Sequence, residues 1–363
     1  MQLVKPVVTA TIAVVLCSLT FISVDARFTP SHRMHKRATT ATATNFTLVN
    51  SYSGDTFFDG WTFFSNADPT HGMVQYTTQA QAQSAGLIGI QDGRAMMKVA
   101  ADADTDGNRQ SVRISTVDTH THGLFVLDAT HIPVGCGVWP AFWTLSADPG
   151  SSGWPVGGEI DIVEGVNDYS ANLVSIHTSS GCSLSSSSAS TLGYSGELML
   201  GSSGTSCDSL TTNNQGCSIM STTSGDYGVQ YNADGGGVHA MLWDADEGIS
   251  IWFFPRASIP SDVSSGTPDP TGWPTPTGRW PATSCTMSSF FWNHVAIFTN
   301  TLCGDWAGAS SVWSTAMNGQ TQSCAAKTGV ASCADYMHGN STDLSEAYWL
   351  INSVKIYQTE RLA

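Results

Sequence analysis

The stretch Gly157-Gly158-Glu159-Ile160-Asp161-Ile162-Val163-Glu164-Gly165-Val166-Asn167 opens with strict alternation of acidic and apolar residues. Successive side chains of an extended strand point to opposite faces. Glu159 and Asp161 therefore share one face, roughly 7 Å apart along the strand, and Ile160 and Ile162 share the other, which reads as core. At Val163 the alternation fails, and Glu164 falls one position late. One extra residue at Ile162-Val163, a β-bulge, would return Glu164 to the face of Glu159 and Asp161. Three carboxylates on one strand face raise one another's pKa and cost stability, and strands are generally depleted in Asp. A purely structural role explains them poorly.

Outward from this stretch, short runs of β-branched and aromatic residues recur. They are Met73–Thr77, Gly86–Ile90, Ala95–Val99, Ser111–Val117, Leu124–Thr130, Leu173–Thr178, Val238–Trp243, Ile249–Phe254, Val295–Thr299 and Trp349–Tyr357. Asp92-Gly93 and Asp246-Glu247-Gly248 lie between such runs, as hairpin turns require. Long amphipathic helix patterns are absent, so the chain reads as an all-β sandwich. Residues 179–225, rich in Ser, Gly and Thr, and 257–289, rich in Pro, Ser and Thr, do not read as strands. Three cysteines in the first predict an ordered, stapled loop. No composition break or internal repeat marks a second domain.

The acidic pair suits glycoside hydrolysis. A retaining enzyme needs one ionised carboxylate to attack the anomeric carbon and one protonated carboxyl, about 5–5.5 Å away, to assist the leaving oxygen. Asp161, between the two glutamates, can orient Glu159 and raise the pKa of Glu164 by charge repulsion. Trp139 and Trp143, four apart, share one face if their segment is extended, and Trp154 precedes Glu159 by five residues. Any single Trp in a sandwich is more often core. The cluster before the carboxylates favours sugar stacking for Trp143 and Trp154. His177 shares a strand face with Ser175, beside the acidic strand, where it is either a structural histidine or a site residue. Arg113, on an alternating strand, lies either in the site or in water.

The N-terminus reads as an export signal. Lys5 precedes an apolar run from Val7 to Val24, and Val24-Asp25-Ala26 offers a cleavage site. A membrane anchor is the rival reading, but the run is only just long enough to span a bilayer and no stop-transfer cluster follows. Residues 1–26 are expected to be a signal peptide and 27–37 a propeptide ending at the dibasic Lys36-Arg37. A single domain would occupy 38–363. The leader takes five of the 14 basic and one of the 29 acidic residues, leaving nine against 28, a net charge of −19. So acidic a chain should repel nucleic acid and anionic membranes and suit a neutral partner. Eight cysteines follow the leader, and an even count in an exported chain implies disulfides whose pairing the sequence leaves open. No CxxC pair occurs, and neither a metal nor a cofactor is expected. Asn45 and Asn340 head N-glycosylation triplets.

From about Phe46 to the C-terminus the chain resembles family 16 glycoside hydrolases, in particular the fungal endo-1,3(4)-β-glucanase, laminarinase-like branch. The resemblance rests on Trp139-Pro-Ala-Phe-Trp143, Gly158-Glu-Ile-Asp-Ile-Val-Glu-Gly165, His177-Thr178, Phe253-Phe-Pro-Arg256, Cys303-Gly-Asp-Trp-Ala-Gly308 and the closing strand Ala347–Tyr357. It implies a jelly-roll sandwich of two antiparallel sheets with a glucan cleft on the concave face, and retaining hydrolysis through a covalent glycosyl-enzyme. By the same resemblance Glu159 is the nucleophile, Glu164 the acid/base and Asp161 the assisting acid. Trp143, Trp154, His177 and Arg113 are subsite residues. The bulged spacing is similar to laminarinases and unlike the E-x-D-x-E of lichenases. The stretch Thr144 to Gly158 is slightly long for the family. The expected protein is a secreted, extracellular monomer that cleaves β-1,3-glucan polysaccharide, with mixed β-1,3/1,4-glucan as a further substrate. A cell-wall β-glucan transglycosylase and a non-catalytic glucan-binding protein are the alternatives.

Overall fold

A computed structural model describes residues 45–104, 106–200, 204–339 and 342–359. The expected signal peptide, propeptide and Asn340 glycosylation site lie outside the described residues. Asn45 is exposed.

Two eight-stranded sheets face each other. The sheet carrying the acidic strand runs, edge to edge, Glu197–Leu198, Cys217–Met220, Leu173–His177, Glu159–Glu164, Val138–Ser146, His294–Leu302, Arg113–Thr116 and Trp61–Phe63. The second runs Gly278–Pro281, Gly248–Pro255, Gly237–Asp244, Gly123–His131, Tyr348–Gln358, Arg94–Lys98 and Ile88–Gln91, with Thr47–Ser53 also paired to Tyr348–Gln358. Every pairing in both sheets is antiparallel, and their strand order crosses over repeatedly, as in a jelly roll. A short parallel pair, Val74–Tyr76 with Arg109–Ser111, lies apart.

The core fills the space between the sheets. Ile114, Phe142, Ile160, Ile162 and Phe298 come from the acidic sheet and meet Phe125, Leu127, Met241, Ile251, Trp349 and Ile356 of the other. The Phe298 ring contacts Phe142 at 4.6 Å and Trp349 at 5.1 Å between centroids, which ties the two layers together. The strand Gly123–His131 is buried on both faces. Leu124 and Val126 pack on the far side with Trp252, Phe254 and Val263, under the segment that carries Ile259 and Trp273.

All ten predicted runs coincide with strands. The two stretches read as strandless need correction. Residues 179–225 contain Glu197–Leu198 and Cys217–Met220, and residues 257–289 contain Gly278–Pro281. Cys217–Met220 is buried at every position, so its sequence carries no alternation to betray it. The described part of the first stretch is stapled as expected. Cys207–Cys217 closes a loop within it, and Cys182–Cys285 ties it to the second. Cys136–Cys324 and Cys303–Cys333 fasten the helical segment after residue 303 to the end of the sandwich. All described α-helices are short, six residues at most.

Candidate active site

The acidic strand enters through Gly158, whose φ of +79° favours glycine and whose Cβ would lie 2.2 Å from the Phe291 ring. Its pairing with Val138–Ser146 sets Glu159 opposite Leu145 and Asp161 opposite Trp143. The register then slips. Val163 pairs with Phe142 and Glu164 with Ala141, leaving Ile162 as the extra residue. This is the bulge that the broken alternation predicts, at the same two residues. Ile160, Ile162 and Val163 are all buried in the core, while Glu159, Asp161 and Glu164 share the opposite face.

Each glutamate accepts an indole N–H. Trp154 Nε1 donates to Glu159 Oε2 at 2.8 Å, and Trp139 Nε1 donates to Glu164 Oε1 at 2.9 Å. Asp161 is buried between them. His177, opposite Glu159 on the next strand, brings Nε2 to 3.2 Å from Asp161 Oδ2. Its Nδ1 faces Ser209 Oγ at 3.2 Å, within the loop closed by Cys207–Cys217. The Trp154 and His177 rings lie 6.2 Å apart. Trp143 shares a face with Trp139 and donates its indole N–H to Thr299 Oγ1 at 2.8 Å. The Arg113 guanidinium stacks 5.0 Å from the Trp143 ring and 4.8 Å from the Phe64 ring. Of the two places open to it, Arg113 takes the one beside Trp143.

All seven residues singled out in the sequence thus gather on one sheet face. Trp139 and Ser209 were not among them. Trp139 had a visible signal, its place four residues before Trp143. Ser209 had none, since its part depends on how a serine-rich loop folds back.

Burial pushes Glu159, Asp161 and Glu164 each up to about 8, far above the ordinary carboxylate range. The Asp161 charge raises both glutamates further, while the indole N–H groups and His177 act in the opposite sense. Three such carboxyls hold fewer than three charges near neutral pH, which keeps protonated carboxyl on the strand. A protonated carboxyl beside a second carboxyl is what acid-assisted nucleophilic displacement at an acetal carbon draws on. Glu159, Asp161 and His177 also bring donor atoms within 4.8 Å of one another.

Residues 61–357 match the family model described as an XgeA-like catalytic GH16 domain. A probable glycosidase of Schizosaccharomyces pombe is 40% identical over 319 residues, covering 87% of this chain and 70% of its own. A probable endo-1,3(4)-β-glucanase of Neosartorya fischeri is 40% identical over 318 residues, 86% of this chain, and the chain spans only 46% of that relative's length. Among solved structures, GH16 laminarinase 16A of Phanerochaete chrysosporium, with 6-O-glucosyl-laminaritriose in donor and acceptor sites, superposes with a TM-score of 0.76. Its identity is 35%, over 86% of this chain and 100% of the other. An elongating family 16 β-1,3-glucosyltransferase superposes with a TM-score of 0.73 at 36% identity, over the same shares. With the jelly roll, the bulged acidic strand and these matches in agreement, the chain belongs to glycoside hydrolase family 16.

Proposed function

We propose that the protein is a secreted retaining endo-β-glucanase that cleaves β-1,3-glucan and also accepts mixed β-1,3/1,4-glucan. The observation that carries this reading is the bulged strand, which presents Glu159 and Glu164 on one face with an indole donor on each. Relatives named endo-1,3(4)-β-glucanase and the laminarinase that superposes on the chain support the substrate class.

In this reading the ionised Glu159 attacks the anomeric carbon and forms a glycosyl ester. Glu164 gives its proton to the departing glycosidic oxygen. Water then enters, Glu164 takes back a proton, and the ester to Glu159 breaks with net retention. Asp161, held against His177, orients Glu159 and keeps Glu164 protonated through its charge. Trp143, Trp154 and Arg113 line the sugar's path.

The domain reading is a signal peptide over 1–26, a propeptide over 27–37 and one catalytic domain over 38–363. Four disulfides fit an oxidising, extracellular destination. The partner is a neutral glucan and the protein acts as a monomer. N-terminal sequencing of the protein from culture medium tests the processing sites.

A second reading has one specific support, the likeness to an elongating glucosyltransferase. There a sugar hydroxyl, rather than water, resolves the ester. Product lengths from laminarin, lichenan and cellulose separate the two, since products longer than the substrate mark transfer. Glu159→Gln should abolish release of reducing ends from laminarin while binding persists. Full activity in that variant would overturn the assignment.

A further inference from the structure

Behind the acidic strand lies an amide that hydrolysis does not use directly. The ladder between Glu159–Glu164 and Leu173–His177 ends at the pair Asp161–Ser175. Beyond it, on the bulge, the carbonyl of Ile162 and the peptide N–H of Glu164 have no strand partner on that side. The side chain of Asn172, buried and one residue ahead of the neighbouring strand, takes both. Its Nδ2 donates to the Ile162 carbonyl at 2.9 Å, and its Oδ1 accepts from the Glu164 N–H at 2.9 Å. A side-chain amide is the neutral group that offers a donor and an acceptor in one rigid plane. Here it brackets Val163 and carries the pairing past the last residue pair of the Leu173–His177 ladder, on the strand edge away from the register slip.

Asn172 is itself held at both backbone groups. Its N–H donates to Asp226 Oδ1 at 3.2 Å and its carbonyl accepts from the Ser221 N–H at 2.9 Å. Asp226 is fully buried, and its own carbonyl lies 3.1 Å from His239 Nε2. The next residue, Tyr227, packs so closely on Gly165 that a Cβ there would lie 2.6 Å from its ring. The peptide of Glu164 is therefore gripped by Asn172, and Asn172 in turn by Asp226 and Ser221.

We infer that Asn172 is a positioning residue for proton transfer by Glu164, with Asp226 holding it in place. The inference rests on the reading of Glu164 as the acid/base. Without the clamp, the bulge relaxes and the carboxyl leaves the line of the glycosidic oxygen. A misplacement of this kind costs on the order of 100-fold in rate.

The test compares substrates that differ in their need for a proton. Asn172→Ala should lower kcat on laminarin by roughly 100-fold with KM changed by less than about 3-fold. On a 2,4-dinitrophenyl β-laminaribioside, whose leaving group departs without protonation, the glycosylation rate should fall by less than about 3-fold. Azide should then speed turnover by attacking the anomeric carbon, displacing the Glu159 carboxylate and yielding a β-glycosyl azide. Equal losses on both substrates without azide rescue, or no loss on laminarin, overturns the inference. Near-UV circular dichroism checks the fold. If Asn172→Ala is not recovered folded, Asn172→Asp carries the same comparison, since it keeps the shape and the acceptor and loses the donor to Ile162. Glu164→Ala runs in parallel. If that variant lacks the pattern, the acid/base reading falls and this inference falls with it. If it shows the pattern and the Asn172 variants do not, only the clamp is overturned.

Discussion

Trp139 donates its indole N–H to Glu164 across 25 residues of chain, at 2.9 Å. A donor of this kind favours the ionised carboxylate, so it opposes the burial that keeps Glu164 protonated. Trp154 does the same for Glu159. In the proposed mechanism the two indoles bear separately on the nucleophile and on the acid.

Trp139→Phe removes a donor that lowers the pKa of Glu164, so that pKa should rise further. The alkaline limb of kcat/KM, where the acid loses its proton, should move up by roughly half to one pH unit. Trp154→Phe should move the acidic limb, where the nucleophile ionises, upward by a similar amount. pH–rate profiles on a short laminari-oligosaccharide check both. A shift of the wrong limb in either variant would reverse the roles of the two glutamates.

The raised carboxyls also make stability depend on pH. Unfolded, they release their protons near pH 4, whereas in the fold Glu159 holds on to about 8. The native state therefore binds more protons across that window, and stability falls as pH rises through it. Glu159→Gln removes one of these penalties. Its melting temperature should exceed that of the parent by roughly 2–6 °C at pH 8 and match it at pH 4. Differential scanning calorimetry at the two values reads the difference.

Two disulfides near the long loops should part scaffold from site. Cys182–Cys285 spans 103 residues, and replacing both cysteines by serine should cost about 2–5 kcal/mol of stability in urea. Ser209→Ala, inside the loop closed by Cys207–Cys217, removes only the contact to His177. It should leave the urea midpoint nearly unchanged and lower kcat/KM by roughly 2–10-fold.

Arg113 stacks on Trp143 and holds its indole plane. Arg113→Ala should raise KM for laminarin by roughly 3–10-fold with little change in kcat. Initial-rate kinetics decide it, and a loss confined to kcat would place Arg113 in the chemical step instead.

Much of this was legible in the residues themselves. The alternation at Glu159–Asp161 and its failure at Val163 specify a bulge because the strand must keep Ile162 and Val163 in the core while returning Glu164 to the other face. His177 and Trp143 follow from the same period of two. What stayed hidden depends on neighbours that no local pattern announces. Cys217–Met220 is buried on both faces and reads as loop. The donor on Glu164 is Trp139 because the bulge shifts the register, and Asn172 is one polar residue ahead of an ordinary strand until the ladder beside it stops.

The bulge also bears on descent. The carboxylates, both indole donors, the stacking Trp143, the clamp Asn172 and His177 all lie between Trp139 and His177, in three successive strands and the segments that join them. The groups proposed to react are thus heritable as one uninterrupted stretch, while Arg113, Ser209 and Asp226 come from outside it. Recombination at its borders would carry the chemistry intact into a relative and leave the recipient's own walls around it. Exchanging these forty or so residues between family members is therefore a direct way to ask which traits belong to the catalyst and which to its surroundings.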